Sequence, residues 1–387
     1  MRRSGKDMFT HEDPGHRRLR RRVRRRQNQY LKPLGHGFRK DTSRVRVLYI
    51  SNGERPDFLQ DILFDGLVRL LGAENIVDWP RNVRYHGSPP DPTIPFLYAD
   101  VPEHEDTPLD ELLARVDGVV IASLRPPVRE AVRHVLVARG ALPTAFVDGE
   151  DDPYVRGIVE EVDVYFKRET LLRRPRSLAA ARSLRNLRYA VRGDETLWRD
   201  ALTRRVAIAA VGDERIVPLP FAAVVRGPAP PRGDEYDVVF LSMASSGVRA
   251  QVVRDLQALE RDGFRVALRA TGYHDHLSWP EYIRLLASSR IGVSVRGAGF
   301  DTYRYWEVPY AGALLLAEPP QIELPENFED GVEAVFAPPE ELAERARELL
   351  RGETEEIAQA GQRALLARHT SVERARRVIE RLQAVSG

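Results

Sequence analysis

Cysteine is absent from the chain, which excludes disulfides, thiolate metal sites and cysteine nucleophiles. Long apolar runs are lacking too. None approaches the ~20 residues that a membrane helix needs. The N-terminus lacks the apolar central region of a signal peptide, so a cytoplasmic location is expected. Lysine is scarce beside arginine, which reads as genome composition and not as function. What is present suits a globular protein: 387 residues, 43% apolar, long enough for two domains with sizeable cores.

The formal net charge of +2 hides an asymmetry, because residues 1–44 hold 15 Lys+Arg against 4 Asp+Glu and leave −9 for the rest. The block RRLRRRVRRR, Arg17 to Arg26, reads as a solvated, disordered arm. Through charge alone it could reach an anionic membrane peripherally, or nucleic acid. No aromatics interleave to stack bases, so no specific nucleic-acid partner is expected.

From Val45 onward the chain alternates strands and helices. Buried strands are expected at Val45–Ile50, Gly118–Ser123, Pro143–Val147 and Asp163–Phe166, with helices at Phe58–Leu71 and Val128–Arg139. Asn75–Pro108 reads as an irregular insertion, Leu171–Arg205 as arginine-dense helix and Pro218–Arg232 as the linker. The alternation argues a doubly wound parallel sheet. FVDGEDDPY then sets Asp148, Glu150, Asp151 and Asp152 at a strand's carboxyl end, where open α/β sheets bind ligands. Asp148 or Glu150 could act there as a general base, or the cluster could hold Mg²⁺ or Mn²⁺. Alternatively, Asp148 and Asp152 are turn and cap residues around Gly149 and Pro153.

The second half repeats the pattern. Tyr236–Met243 is a strand, Ser245-Ser246-Gly247 a small-residue turn and Val248–Arg261 a helix, with Arg249 near any phosphate held at its start. His274 and His276 lack a third metal ligand and read as loop residues, His274 lining the site. Ser278-Trp-Pro-Glu281 has the form of a capping box. The centre of the chain is RGAGFDTYRYWE, Arg296 to Glu307, between two apolar strands. Gly297 and Gly299 allow close approach of a ligand, and Asp301 or Thr302 can cap the following helix. Arg296 and Arg304 supply cations suited to phosphate, and Glu307, one turn beyond Arg304, could take a neutral diol. The constellation suits a nucleotide diphosphate compound. In the plainer alternative it is an ordinary turn, with Arg304 paired to Glu307.

Tyr282–Gly312, YIRLLASSRIGVSVRGAGFDTYRYWEVPYAG, resembles the donor-site segment of the CgeB-like glycosyltransferases, among the group-one families of the GT-B fold. ENFEDGVEAVF (Glu326–Phe336), HTSVERAR (His369–Arg376), FVDGEDDPY and YFKRE (Tyr165–Glu169) are also similar to such proteins. The resemblance implies two Rossmann-like doubly wound parallel-sheet domains facing a central cleft. Residues 45–228 would form the acceptor domain and 229–387 the nucleotide-sugar donor domain, with the final helices packing back on the first. In the related pattern two glutamates stand eight positions apart, and the second contacts the donor ribose. Glu307 matches the second. The first falls on Gly299 and is missing, so that either Arg296, Gly297 or Asp301 does its work or the sugar is held differently. Pro309 also departs from the pattern and should shorten or bend its helix.

The expectation is a hexosyltransferase-type enzyme without cofactor or metal. It would move a sugar from a nucleotide-sugar co-substrate to a hydroxyl of a glycan, lipid or small molecule. Asp148 and Glu150 would be catalytic. Ser245, Gly247, Arg249, His274, Arg296, Gly297, Gly299, Asp301, Thr302, Arg304 and Glu307 would bind the donor, its diphosphate offset by helix dipoles and basic side chains. One rival is a catalytically silent GT-B-like subunit that binds a nucleotide sugar or a glycan. Another is a nucleic-acid-associated protein acting through residues 1–44.

Overall fold

A computed structural model describes residues 45–386 except 54–56, 87–100, 105, 174–199, 226, 244–246, 272–276 and 353. The basic arm therefore lies outside the described residues, as do Ser245, His274 and His276. The described residues fall within one unit, Ser43–Gly387.

The first sheet is built from β1 (Val47–Ile50), β2 (Ile76–Asp78), β3 (Gly118–Ile121), β4 (Thr144–Asp148), β6 (Val164–Lys167) and β8 (Ile216–Pro218). Its order is β2-β1-β3-β4-β6-β8, parallel throughout. Successive residues of β1 enter different cores: Val47 and Tyr49 pack with helix α1 (Phe58–Leu71), Leu48 and Ile50 on the opposite face. A strand covered on both faces requires apolar residues at every position, which explains its unbroken apolar run. The short strands β5 (Tyr154–Arg156) and β7 (Arg205–Ile208) pair antiparallel beside this sheet.

The second sheet holds β9 (Tyr236–Met243), β10 (Val266–Thr271), β11 (Ser289–Ser294), β12 (Leu314–Ala317) and β13 (Val335–Phe336), in the parallel order β10-β9-β11-β12-β13. The order reverses between β9 and β11, the position where open α/β sheets bind ligands outside their strand ends. Val239, Leu241, Leu315 and Ala317 share one apolar cluster with α1 and β1 of the first sheet, so the two halves pack through a common core. The last helix, Ser371–Val385, returns to α1, and a Cβ on Gly66 would meet the Ser371 carbonyl oxygen at 2.0 Å. Two doubly wound parallel sheets facing each other make a GT-B architecture.

Two expectations need correction, over Asn75–Pro108 and at Arg205. Asn75–Pro108 contains β2 and a short helix, Val83–His86; a three-residue edge strand shows too little periodicity to read. Pro218–Arg232 begins at the last residue of β8 and lies on the connection to β9 in the second sheet; its residues Leu219, Phe221, Ala222 and Ala223 are buried, because this crossover runs through the packed junction. Arg205, assigned to a helix, opens strand β7.

Candidate active site between the two sheets

The glycine-rich turn leaves β11 and leads into helix α7, Tyr303–Tyr310. Between α1 and α7 lie α2 (Val83–His86), α3 (Leu109–Leu113), α4 (Pro126–Ala138), α5 (Gly247–Arg261) and α6 (Trp279–Ala287) among the described residues. Gly297 N–H donates to the Gly299 carbonyl at 2.9 Å, closing the turn. Buried Arg249, from α5, donates through Nε to the Arg296 carbonyl at 3.1 Å. A Cβ on Gly297 would lie 2.6 Å from Arg249 Nη2, so glycine here makes room for that guanidinium. Arg296 is paired with Glu318 through its side chain, and its N–H donates to Glu318 Oε2 at 3.1 Å. Gly247 opens α5, and a Cβ there would meet nothing within 4 Å among the described residues.

Neither expected cap serves α7. Thr302 sits at the N-cap but makes no side-chain cap bond; its hydroxyl meets Ser294 Oγ at 2.9 Å. The Asp301 carboxylate instead accepts from Phe221 N–H at 2.6 Å and Trp306 Nε1–H at 2.8 Å, tying the crossover to the turn. Burial raises the pKa of Asp301, while Arg168 and these donors oppose the shift. The capping box at Ser278 is present, with Ser278 N–H donating to Glu281 Oε2 at 3.0 Å.

Carboxyl ends of the first sheet face this turn. After β6, Arg168 donates to the Asp301 carbonyl at 2.8 Å and the Gly149 carbonyl at 3.0 Å, and pairs with Asp151. Its guanidinium lies 4.3 Å from the Phe221 ring centroid. Glu169 accepts from Phe300 N–H at 3.1 Å and Asp301 N–H at 3.0 Å. YFKRE gives both residues a position just past a strand end. Composition alone does not say that they cross to the other sheet.

Asp148 and Glu150 separate. Asp148 is buried against Lys167 Nζ at 3.0 Å and accepts from Tyr165 OH at 2.5 Å. Glu150 is half exposed, 4.0 Å from Arg125, which also lies 3.5 Å from Asp57. Desolvation and the Asp57 carboxylate raise the pKa of Glu150 against the opposing Arg125 charge.

Glu307 and Arg304 lie farther along α7. Glu307 lines a small, partly open pocket with Asp61 and Phe58 of α1, Trp279 of α6, and Tyr303 and Tyr310 of α7. Both halves of the molecule thus form its walls. Tyr282 OH donates to Glu307 Oε2 at 2.6 Å. Burial raises the Glu307 pKa to about 7, with Tyr282 and Arg304 acting in the opposite direction. The Nε of Arg304 and the hydroxyl of Tyr303 are buried without a hydrogen-bond partner among the described residues. Pro309 occupies the last turn of this eight-residue helix. The sequence does not single out Tyr303, in the pocket wall, or Tyr282, the hydrogen-bond partner of Glu307, as site residues. Their helix positions give only a core signal.

Residues 249–380 match a family model described as "Glycosyl transferase-like". No curated protein matches the chain. Among solved structures, HepE from Anabaena in complex with UDP and glucose is 12% identical, with 88% of this chain and 100% of that one covered and a TM-score of 0.51. TarM from S. aureus, in complex with Fondaparinux, alpha-GlcNAc-glycerol and UDP, is 9% identical over 70% of this chain and 56% of that one, with a TM-score of 0.45. The pneumococcal O-GlcNAc transferase GtfA with UDP and GlcNAc is 8% identical over 71% and 58%, with a TM-score of 0.41. The chain thus spans little more than half the length of the TarM and GtfA structures. Residues 249–380 are thus similar to a glycosyltransferase-like family, and the chain as a whole shares the GT-B fold.

Proposed function

We propose that this chain is a CgeB-like, hexosyltransferase-type enzyme that moves a sugar from a nucleotide-sugar donor to a hydroxyl of a glycan, lipid or small molecule. The observation that carries this reading is Glu307, a carboxylate of the glycosyltransferase-like domain set in a pocket walled by both halves. Its oxygens suit the ribose hydroxyls of a nucleotide. Arg304 and Arg249 offset the diphosphate charge as the sugar departs, so the reaction runs without a metal. Arg296 contributes less, because Glu318 already pairs with it. Asp148 is committed to Lys167 and Tyr165, so Glu150, half exposed beside Arg125, takes the proton from the acceptor hydroxyl. Residues 1–44 add a peripheral, salt-sensitive contact of a cytoplasmic enzyme with anionic lipid.

Thermal-shift screening against UDP-, GDP-, ADP- and dTDP-sugars tests the reading, since a ligand of the folded state raises its melting temperature. UDP-sugars head the panel, because HepE was solved with UDP and glucose. The donor that shifts melting should then turn over with a hydroxyl acceptor in EDTA. Activity lost to chelation and restored by Mn²⁺ or Mg²⁺ would replace the cationic scheme with a metal site. The catalytically silent reading draws on Glu169, which fills the space beside Gly299. Binding without turnover across the panel would establish it.

A further inference from the structure

Strand β6 ends at Lys167, and the next two residues reach across to the glycine-rich turn of the other half. Glu169 is 2% exposed, and its two oxygens take the N–H groups of Phe300 and Asp301 at 3.1 and 3.0 Å. A Cβ on Gly299 would stand 2.3 Å from Glu169 Oε1, so the missing side chain at 299 is what admits this carboxylate. Adjacent amides ahead of a helix, opened by glycine, form the kind of cradle that holds a phosphate. Here the cradle is filled by the chain's own anion. Arg249, buried beneath Gly297, supplies a second feature of an anion site, a cation directed at the turn.

We propose that Glu169 is an intramolecular stand-in for the diphosphate of the donor. It competes with that diphosphate for the amides of Phe300 and Asp301, and ligand entry releases a contact between the two sheets' strand ends. Burial, opposed by Arg168 and reinforced by Asp301, holds the Glu169 pKa at about 7, so the carboxylate sits there at a cost and is replaceable. The proposal rests on the nucleotide-sugar reading. It adds that nucleotide-free protein is self-occupied at the diphosphate position.

Calorimetric titration of the full chain with UDP, GDP, ADP and inorganic pyrophosphate tests it, using wild type, Glu169→Ala and Glu169→Gln. A plug lowers apparent affinity by the fraction of molecules in which the cradle is open. Both variants should therefore bind a diphosphate tighter, by about five- to tenfold for an open fraction near 0.1–0.2. Equal or weaker binding by a well-folded Glu169→Ala or Glu169→Gln protein would overturn the plug and leave Glu169 as a structural clamp, with the nucleotide reading intact. No diphosphate binding to any of the three proteins would overturn both readings. Should Glu169→Ala fail to fold, Glu169→Gln decides, since it keeps the side-chain volume and one acceptor. Melting curves check the geometry separately: Gly299→Ala should destabilise wild type and cost less in the Glu169→Ala background. Equal cost in both would mean that the carboxylate does not occupy that space.

Discussion

Glu307 is pulled in opposite directions by burial and by its proposed task. Burial favours the neutral acid, raising its pKa to about 7, whereas two ribose hydroxyls need an ionised acceptor. The folded pKa lies above the ordinary glutamate value of 4.5, so its contribution to stability is complete below pH ~4.5 and is lost as pH rises through about 7. Melting curves of Glu307→Gln should accordingly gain on wild type between pH 5 and pH 8. Donor affinity should run the other way, strengthening in wild type as pH passes about 7 and staying flat in the mutant. At pH 8, Glu307→Gln should bind donor roughly ten- to a hundredfold more weakly, since a charge-assisted bond contributes about 1.5–3 kcal/mol. Unchanged nucleotide affinity in a well-folded mutant would remove the ribose assignment. Arg304→Gln separates the alternatives, because a purely structural Arg304–Glu307 pair predicts the same stability loss from either change. The spacing of these two residues is legible in sequence, being three positions on one helix. The commitment of Asp148 is not, because Lys167 and Tyr165 reach it from a neighbouring strand.

At the scale of elements, one glycine decides how the last helix meets the first. A methyl on Gly66 would press to 2.0 Å from the Ser371 carbonyl oxygen and 3.0 Å from the Ala375 Cβ. Alanine favours a helix over glycine by about 1 kcal/mol, but overpacking costs typically 1–3 kcal/mol. Against a backbone carbonyl the second effect wins, so Gly66→Ala should lower the melting temperature by several degrees, read by calorimetry. A higher melting temperature would mean that the two helices can slide apart cheaply. Gly247→Ala is the contrasting case: with no atom of the described residues within 4 Å of the added methyl, stability should hold or rise. Long periodic elements such as α1 and β9 are readable because many residues repeat one pattern. Strands β2 and β8, of three residues each, fall below what periodicity resolves and exist only because a neighbouring strand pairs with them.

For the whole molecule, Arg374 is the tie between the last helix and the junction. It is fully buried, donates to the carbonyls of Pro220 and Phe221 at 3.0 and 3.1 Å, and lies 5.1 Å from the Trp306 ring centroid. Burial and the neighbouring Arg377 charge push its pKa down to about 9, so it remains cationic at neutral pH. Arg374→Met keeps the volume but leaves buried carbonyls without this donor, each at about 1–3 kcal/mol. Denaturant unfolding should show a loss of about 2–5 kcal/mol; a loss below 1 kcal/mol would show that the junction holds without it. Deleting residues 1–44 should do the reverse, leaving melting and donor turnover nearly unchanged, because a charge-dense segment without an apolar face adds little to a core. A large loss of either would place the arm in the site or on the body.

Local chemistry determined the class of fold. Unbroken apolar runs of strand length, alternating with amphipathic helices, have few stable solutions other than a parallel sheet covered on both faces. The same local chemistry marked the turn at Arg296–Glu307 as a place for a ligand. Only the tertiary structure decided which charges there are already spent. Arg296 is paired with Glu318, Asp301 holds the crossover, and the amides of the turn are taken by Glu169 from a different sheet. Electrostatic pairing depends on distance in space, and Glu169 and Asp301 are brought together across 132 positions of chain. No periodicity or motif records that approach; the space left at Gly299 is its one trace in the sequence.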